Sequence, residues 1–383
     1  MAEINLISAL GFPSVEPFIA VLALVICVVG IIVVIVALKP VLDLFPYGYP
    51  NARIRARLGR LFDDKQYSEM IEADNEEEVT NYLRGFPEYA KYLETYPVEK
   101  ALDSQLAESY QTLYTVAPKS IKPVFKALNM KWDIRNIKTI IIATEMNLTR
   151  DQTTELLIPF GANYDIIEKL IESNEITDIV AGLEGTPYAQ ALEDALTEYS
   201  EKQMVLPLES ALDKFYLTEL LRTSATPDEE NTRIMHSYVG SMVDIANLTL
   251  ILRAKADGLK YDSISPYIME GGYQIRDWKL KDLMESEDAE GVISGIEGTE
   301  YSPALSDAIT EYNKTGSVAV FEAALDTYLV TKATNLSRKK PFGIGPLVAF
   351  VNRKEREIKN LKIIIRGKRE ENVSNTQIKE MLI

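Results

Sequence analysis

The sequence predicts an all-α protein in which one N-terminal membrane-spanning helix precedes three related helical domains. Three observations support this fold class: a continuous apolar segment near the start, an internal repeat of about 110 residues, and apolar residues at helical spacing within the repeat. Period-2 apolar runs bounded by Asn-Gly or Asp-Gly turns are absent from the sequence, which argues against a β-sheet.

The first element is an apolar segment that follows a short tail, residues 1–17. Residues 18–38 carry no charged side chain, and at about 1.5 Å rise per residue such a helix spans the roughly 30 Å hydrocarbon core of a bilayer. We therefore predict a transmembrane helix. A cleaved signal peptide is the alternative, but the tail has no lysine or arginine and the apolar segment is longer than a signal core.

Charged residues around this segment predict its orientation. Acidic residues precede it, whereas Lys39 and four arginines between Arg53 and Arg60 follow it. By the positive-inside rule, the bulk of the chain is expected on the cytoplasmic face of the cell membrane. Pro40 is expected to interrupt the helix just after the span, because proline lacks an amide donor.

An internal repeat accounts for most of the remaining chain. Residues 183–199 (LEGTPYAQALEDALTEY) align without a gap with residues 296–312 (IEGTEYSPALSDAITEY), and a more diverged copy begins at residues 83–93 (LRGFPEYAKYL). Such copies are longer than the about 33 to 47 residues of common helical solenoids, and they indicate three small domains related by a pseudo-threefold axis. The predicted boundaries are 45–125, 126–235 and 236–345 for the three repeats, and 346–383 for a long C-terminal helix that closes the funnel-shaped arrangement.

A second recurring element predicts the longest helix of each copy. Residues 132–142, 243–253 and 356–366 share the order acid-Ile-x-Asn followed by Ile or Leu. Apolar residues at i, i+3 and i+7 place one apolar stripe on each helix. The stripes are Ile134, Ile137 and Ile141; Ile245, Leu248 and Leu252; and Ile358, Leu361 and Ile365. The last of these helices is expected to run from Pro346 to about Arg369.

One polar residue recurs inside this stripe, as Asn136, Asn247 and Asn360. We interpret each asparagine as a structural residue that hydrogen-bonds between packed helices and fixes their register. A role in an ion pathway is the alternative interpretation.

Composition and charge exclude several classes of function. The 383 residues carry a formal net charge of -16, which is unfavourable for binding nucleic acid. One cysteine, Cys27, and one histidine, His236, exclude disulfides, thiolate metal sites and cysteine–histidine catalytic pairs. We expect no metal ion or other cofactor.

Catalytic motifs are absent from the sequence as well. The nearest approach to a phosphate-binding loop, Gly343 and Gly345, lacks the lysine and the hydroxyl that hold phosphate and magnesium. His236 is interpreted as a helix-packing or surface residue. The acidic segments 74–79 and 227–231 lack calcium-loop spacing and are interpreted as solvated helix starts. The sequence therefore predicts a chain that is not catalytic by itself.

Two basic clusters interrupt the acidic background, one after the membrane segment and one near the C terminus. Such residues either gather against an anionic lipid leaflet or form a docking face for an acidic partner, and the sequence leaves both alternatives open. The candidate interface residues are Arg53, Arg55, Arg57, Arg338, Lys339, Lys340, Arg353 and Lys354.

Three segments, in combination with the repeat, resemble one known family. They are NARIRARLGRLFD (51–63), WDIRNIKTII (132–141) and KEREIKNLKIIIRGK (354–368). They are similar to the C subunit of the archaeal A-type ATP synthase, which is similar in turn to the d subunit of eukaryotic vacuolar ATPases. The resemblance covers residues from about 45 to 383.

This resemblance implies both a fold and a function. The family forms a funnel of three helical domains, seated on the membrane proteolipid ring and entered by the central shaft made of the D and F subunits. It transmits torque without chemistry, so that ion flow drives ATP synthesis or the reverse. The implied partners are the ring, D, F and the rest of the A-type ATP synthase. The apolar segment itself predicts contact with membrane lipid through residues 18–38.

The N-terminal segment departs from this family pattern, because most relatives are expected to begin near residue 51 as soluble proteins. A helix that turns with the ring would collide with stationary subunits unless it lies in the central hole of the ring or is removed. We hypothesise that it lies in the hole. Two other functions compete: a single-pass membrane scaffold whose helical repeats bind cytosolic partners, and an enzyme with an unrecognised carboxylate pair.

Overall fold

The computed structural model describes residues 15–225, 229–370 and 372–383. Within these ranges the chain forms twenty α-helices, three short 3-10 helices and no β-strand, so the predicted all-α class is confirmed. Most of the predicted tail, residues 1–14, and the first two residues of the acidic segment 227–231 lie outside the described residues. The chain divides into two units, Met1–Tyr49 and Pro50–Ile383.

From residue 15, where the described part of the first unit begins, the chain forms one long apolar helix and a short turn. Helix α1 spans Val15–Leu44, and a 3-10 helix follows at Phe45–Tyr47. The segment Glu16–Lys39 within α1 is long and apolar enough to cross a membrane, and its most apolar window has no buried residue. Helix α1 therefore covers the whole predicted span, residues 18–38.

The expected interruption at Pro40 is wrong. Helix α1 continues past this residue for about one more turn and ends at Leu44. A proline removes only its own amide donor from the hydrogen-bond ladder, while the turns on both sides of it keep theirs. One missing bond is therefore compatible with a continuous helix.

The second unit opens with five helices. They are α2 (Gly48–Leu58), which crosses the boundary between the units, α3 (Asp64–Glu72), α4 (Glu76–Arg84), α5 (Pro87–Leu93) and α6 (Val98–Val116). Capping explains two of these starts, because the side chains of Asp63 and Asn75 accept hydrogen bonds from the backbone amides of Gln66 and Glu78. The acidic segment 74–79 is thus a helix start, as predicted.

Two similar groups of helices follow. The second copy comprises α7 (Lys122–Glu145), α8 (Arg150–Leu156), α9 (Tyr164–Ile167), a 3-10 helix at Glu168–Glu172, α10 (Ile176–Gly182), α11 (Ala189–Lys202) and α12 (Leu206–Thr223). The third copy comprises α13 (Glu229–Ala256), α14 (Tyr261–Ile264), a 3-10 helix at Ser265–Tyr267, α15 (Asp277–Glu285), α16 (Ala289–Gly295), α17 (Ser302–Thr315) and α18 (Ala319–Lys339). Each copy begins with its longest helix.

The chain ends with a third long helix, α19 (Gly345–Arg369), and a short one, α20 (Asn375–Met381). The predicted end of the long helix near Arg369 is confirmed. Residues 346–383 therefore form two helices instead of one, and Ser374 caps the second by accepting a hydrogen bond from the amide of Gln377.

The predicted apolar stripes lie in the core. On α7, α13 and α19 every stripe residue is buried except Ile245, which is half-buried. The residues aligned by the repeat also hold equivalent places in two hydrophobic clusters, one in each copy. The aligned pairs are Tyr188 and Tyr301, Leu192 and Leu305, Leu208 and Phe321, and Leu212 and Leu325. The repeat in the sequence therefore corresponds to a repeat in packing.

Residues 50–383 form one compact unit, and the division into three domains stays a prediction. The predicted boundaries at residues 126 and 236 fall inside α7 and α13. These helices start at Lys122 and Glu229, several residues before the recurring acid-Ile-x-Asn order.

Candidate functional site

Helix α7 carries a buried carboxylate and, three residues later, a buried asparagine. Asp133 accepts hydrogen bonds from the backbone amide of Asn163 at 3.1 Å and from the hydroxyl of Tyr188 at 2.9 Å. Asn136 donates to the carbonyl oxygen of Ile158 at 2.8 Å and accepts from the amide of the same residue at 2.9 Å. These two side chains fix the loop between α8 and α9 against the long helix.

Helix α13 repeats this arrangement in the third copy. Asp244 accepts hydrogen bonds from the amide of Gln274 at 2.8 Å and from the hydroxyl of Tyr301 at 2.6 Å. Asn247 donates to the carbonyl oxygen of Met269 at 2.7 Å and accepts from its amide at 2.9 Å. The loop held here precedes α15.

Helix α19 carries the same arrangement and uses it to join distant parts of the chain. Glu357 accepts hydrogen bonds from the backbone amide of Phe62 at 2.6 Å and from the hydroxyl of Tyr89. Phe62 lies 295 residues before Glu357 in the sequence. Asn360 exchanges hydrogen bonds with the backbone of Ile383. We call α3–α6 together with α19 and α20 the first copy, because both ends of the second unit contribute to it.

The interpretation of the three asparagines as structural residues is confirmed, but their partners differ from those expected. Each side chain pairs with the backbone of a loop or chain end 22 or 23 residues downstream, and not with a packed helix. An extended backbone presents an amide and a carbonyl side by side, which matches the donor and acceptor of a carboxamide.

Burial raises the pKa of Asp133 and of Asp244, although hydrogen bonds from tyrosine and backbone amides oppose this effect. Burial also raises the pKa of their partners Tyr188 and Tyr301. A carboxyl group with a raised pKa is a feature of catalytic acids. Here the same pair recurs in two copies with its oxygens engaged in hydrogen bonds, which indicates a structural role.

The two basic clusters predicted from the sequence approach each other in the second unit. Arg55 of α2 donates a hydrogen bond to the carbonyl oxygen of Pro341 at 2.5 Å, and its guanidinium lies 5.3 Å from the ring centroid of Phe342. Arg338 and Lys339, in the last turn of α18, are exposed. We call this region the basic surface.

The other candidate interface residues lie in different environments. Arg53 is exposed and Arg57 is half-buried, and both lie on α2 beside Arg55. Lys340 forms an ion pair with Glu230 of α13. Arg353 is half-buried on α19.

Lys354 does not lie at the surface, which corrects its assignment to an interface. Its side chain is 2% exposed, its ammonium lies 2.6 Å from Glu357, and it donates a hydrogen bond to the hydroxyl of Tyr89 at 2.8 Å. It neutralises the buried carboxylate of the first copy, so it is not available to a partner.

The remaining candidates for chemistry do not form a catalytic or metal site among the residues that the structure describes. His236 is exposed on α13, with its Nδ1 3.4 Å from the hydroxyl oxygen of Ser224. No group of three His, Cys, Asp or Glu side chains within the described ranges could hold a metal ion.

A cleft that the sequence did not reveal opens beside α7. Its volume is about 1000 Å³, and Lys119, Lys122 and Lys126 line it together with mostly apolar side chains. Lys122 and Lys126 lie four residues apart on α7, which is the spacing of one helix face, and Lys119 lies in the turn just before this helix. The spacing of these lysines is the one feature of the sequence that could have indicated the cleft. It is less conspicuous than the two larger basic clusters.

Comparison with known proteins gives one consistent result. Residues 50–381 match the family described as ATP synthase (C/AC39) subunit. Relatives named as the C subunit of the A-type ATP synthase in Methanothermobacter thermautotrophicus and Methanobrevibacter smithii are 55% and 54% identical, over 99% of this chain and 98% of their own length. A relative of the same name from Pyrococcus horikoshii is 30% identical over 83% of this chain and 85% of its own length.

These matches also bear on the N-terminal segment. The family match begins at Pro50, where the second unit begins. The two methanogen relatives, however, align over 99% of the chain and so include residues that correspond to the apolar span 18–38. The expectation that relatives begin near residue 51 is therefore wrong for these two proteins. On the match along the second unit and these full-length alignments, the chain belongs to the ATP synthase (C/AC39) subunit family.

Proposed function

We propose that this chain is the non-catalytic central-stalk subunit of an A-type rotary ATP synthase, coupling the shaft of the D and F subunits to the membrane proteolipid ring. The observation that carries the proposal is membership of the family over residues 50–381, with near full-length relatives named as the C subunit of the A-type ATP synthase. In this role the chain passes torque between shaft and ring, and ion flow drives ATP synthesis or the reverse.

The packing of the second unit supports a mechanical role. An element that transmits torque has to resist deformation, and close packing with satisfied buried polar groups provides this resistance. The buried carboxylates Asp133, Asp244 and Glu357 each hold a tyrosine and a backbone amide in place. The oxygens of these carboxylates accept hydrogen bonds that hold the fold together. Their structural use supports the proposal that the chain has no catalytic activity or cofactor of its own.

The basic surface is our candidate for contact with anionic groups. Exposed arginine and lysine side chains in an acidic chain favour either acidic side chains of a partner or anionic lipid headgroups. We propose that it faces the membrane side of the complex, toward the ring and its surrounding lipid. The exposed residues involved are Arg53, Arg55, Arg338 and Lys339; of the other candidates, Arg57 and Arg353 are half-buried and Lys340 is paired with Glu230.

We also propose that α1 crosses the membrane with the second unit on the cytoplasmic side. Its apolar side chains are exposed within the protein, and basic residues follow the span. If the chain turns with the ring, a helix in the surrounding lipid would collide with stationary subunits at every revolution. The central hole of the ring is the position for α1 that is compatible with rotation.

The first test is a pull-down of the tagged full-length chain from its native membranes in mild detergent, followed by mass spectrometry. We expect proteolipid, D, F and nucleotide-binding subunits to be recovered together with ATPase activity. Recovery of the chain alone, or with unrelated cytosolic proteins, would instead favour the membrane-anchored scaffold.

The position of α1 can be tested with Cys27, which is the only cysteine of the chain and is exposed on α1. A cysteine placed in the proteolipid so that it faces the central hole should crosslink to Cys27, and ATP hydrolysis should persist because both partners turn together. The variant Cys27→Ser is the control and should give no crosslink. Crosslinks to a stationary subunit or to lipid-facing ring positions would contradict the proposed location.

A further inference from the structure

In the second copy, the cleft beside α7 lies where the third copy carries an aromatic side chain. Asn163 and Gln274 donate equivalent hydrogen bonds to Asp133 and Asp244, which sets the register between the two loops. One residue before them, the second copy has Ala162 and the third copy has Tyr273.

In the third copy, Tyr273 packs closely against Gly240 of α13. Its amide donates a hydrogen bond to the carbonyl oxygen of Gly240 at 3.2 Å, and a Cβ atom at Gly240 would lie 3.0 Å from the Cβ of Tyr273. The ammonium of Lys332 lies 4.2 Å from the ring centroid of Tyr273, and the Lys332 side chain is only 7% exposed. The third copy thus provides its own aromatic side chain over a buried cation.

In the second copy, Ala162 leaves that space open. The cleft has a volume of about 1000 Å³ and is lined by Ala162, by Asn129 at the position of Gly240, and by Glu219 at the position of Lys332. Its floor and walls are mostly apolar and include Met130, Phe160 and Pro187. An apolar cleft of this size, with polar groups at its rim, has the character of a binding site.

The charges around this cleft are not balanced within the chain. Glu219 is neutralised by Arg222, whose guanidinium nitrogens lie 2.6 and 2.7 Å from its oxygens. Lys119, Lys122 and Lys126 also line the cleft, and none of them forms a salt bridge among the described residues. Three cations that form no salt bridge, beside an apolar cleft in a chain with a net charge of -16, favour an acidic occupant for charge complementarity.

We propose that this cleft docks a segment of another protein of the same complex, which inserts a bulky aromatic or aliphatic side chain and carries carboxylates opposite the three lysines. The inserted side chain takes the place that Tyr273 holds in the third copy. A central apolar anchor within a charged rim is the usual composition of an energetically important contact. The inference rests on the proposed function only in that the partner belongs to the assembled complex.

The test uses the tagged full-length chain in its native complex, with the photo-reactive residue benzoylphenylalanine replacing Gln111, an exposed residue that lines the cleft. After irradiation, mass spectrometry should find one main crosslink to another subunit. The crosslinked segment should contain a bulky apolar residue and at least two carboxylates within about one helical turn on either side. Crosslinks confined to this chain, to lipid, to a nucleotide or to a segment without carboxylates would overturn the proposal.

Two pairs of variants separate the cleft from general effects on folding. Ala162→Tyr should lower the crosslink yield at least about tenfold, whereas Ala162→Ser should leave it unchanged. Lys126→Glu should also lower the yield, whereas Lys169→Glu, an exposed lysine outside the cleft, should not. Thermal unfolding of each purified chain checks that the fold is intact, and an unchanged yield in folded Ala162→Tyr would refute the docking role.

The same sample distinguishes failure of this inference from failure of the proposed function. If the other ATP synthase subunits do not co-purify with the chain, the proposed function fails. If they co-purify and the crosslink falls on none of them, the complex stands and the docking proposal alone fails.

Discussion

Asp103 illustrates how one buried carboxylate ties several helices together. It lies on α6, accepts hydrogen bonds from Arg135 of α7 and from Lys362 of α19, and is only 4% exposed. Burial alone would raise the pKa of Asp103, but the two cations outweigh this effect and hold the pKa below its usual range. Such a group contributes stability above its unfolded pKa of about 4 and loses it as pH falls through the lowered folded value.

We therefore predict that Asp103→Asn lowers the free energy of unfolding by about 2 to 4 kcal/mol at pH 7, because it leaves two cations without their carboxylate. The difference between variant and parent should shrink as the pH falls below about 4. Urea unfolding of the full chain in detergent, followed by circular dichroism at pH 7 and pH 3, measures both effects. Asp213→Asn, in an exposed ion pair with Lys138, should change stability by less than about 1 kcal/mol; an equal loss for Asp103→Asn at both pH values would contradict the argument.

The hydrogen bonds between the three buried asparagines and the backbone give a second prediction at the residue scale. Asn247→Ala leaves the buried amide and carbonyl of Met269 without partners, so we expect a loss of about 2 to 3 kcal/mol in the free energy of unfolding. The control is Asn313→Ala, which removes an exposed hydrogen bond to Glu290. If urea unfolding gives the same small change for both variants, Asn247 does not hold its loop as described.

At the scale of elements, Gly367 in α19 shows that packing can reverse a helix propensity. Alanine is favoured over glycine by about 1 kcal/mol inside a helix, but a Cβ atom here would lie 2.6 Å from Cγ1 of the buried Ile378 on α20. We expect Gly367→Ala to destabilise the chain by about 1 to 2 kcal/mol net, since the steric cost of the added Cβ exceeds the gain in helix propensity.

The thermal midpoint of the full chain in detergent measures this effect. Gly48→Ala at the start of α2, where a Cβ atom meets nothing within 4 Å, is the matched control and should be neutral or stabilising. Adding Ile378→Val to Gly367→Ala should restore part of the loss, because it removes the Cδ1 atom that would lie 2.7 Å from the new Cβ. An increase in the midpoint with Gly367→Ala alone would mean that α20 does not pack on α19 as described.

The elements that could be predicted from the sequence are those with a strong periodic signal. The stripe residues Ile137, Leu248 and Leu361 lie in long helices because apolar residues three and four apart can be buried together only on a helix. Helix α20 was missed because its seven residues contribute one buried residue, Ile378, which is too few for a periodic pattern. Lys354 was misassigned because a lysine in a basic segment gives no sign of a partner 265 residues away.

At the scale of the whole molecule, the contacts of Glu357 join α19 to the start of the second unit. Glu357→Gln removes the nearer counter-charge of the buried Lys354 ammonium and leaves only Glu88, at 3.4 Å, so we expect a loss of about 2 to 4 kcal/mol in the free energy of unfolding. The double variant Lys354→Met/Glu357→Gln should recover part of this loss, because it removes a buried charge that has lost its nearer partner.

Urea unfolding of the full chain in detergent again provides the measurement. Glu69→Gln, which breaks an exposed pair with Lys65, should cost less than about 1 kcal/mol. A double variant less stable than Glu357→Gln alone would contradict this account of the buried pair.

The repeat predicted three copies, but not how the first is assembled. The alignments of residues 83–93, 183–199 and 296–312 follow the chain from end to end, and so suggest that each copy is continuous. In the structure Tyr89 pairs with Glu357, as Tyr188 and Tyr301 pair with the aspartates of their own copies. The order of motifs in the sequence indicates that the first copy is built from both ends of the unit. The first tyrosine segment precedes every acid-Ile-x-Asn helix, and the last of these helices has no tyrosine segment after it.

The contact between Glu357 and the amide of Phe62 also sets an order of events during synthesis on the ribosome. Phe62 is translated 295 residues before Glu357, and at about 5 to 20 residues per second this interval lasts some tens of seconds. In the second and third copies the tyrosine follows its aspartate by only 55 and 57 residues, so these contacts can form much sooner after synthesis. The first copy has to wait, with its apolar residues exposed to chaperones, until α19 leaves the ribosome. A chain truncated before α19 therefore cannot complete it, so assembly with partners that contact this copy is delayed until translation has passed α19.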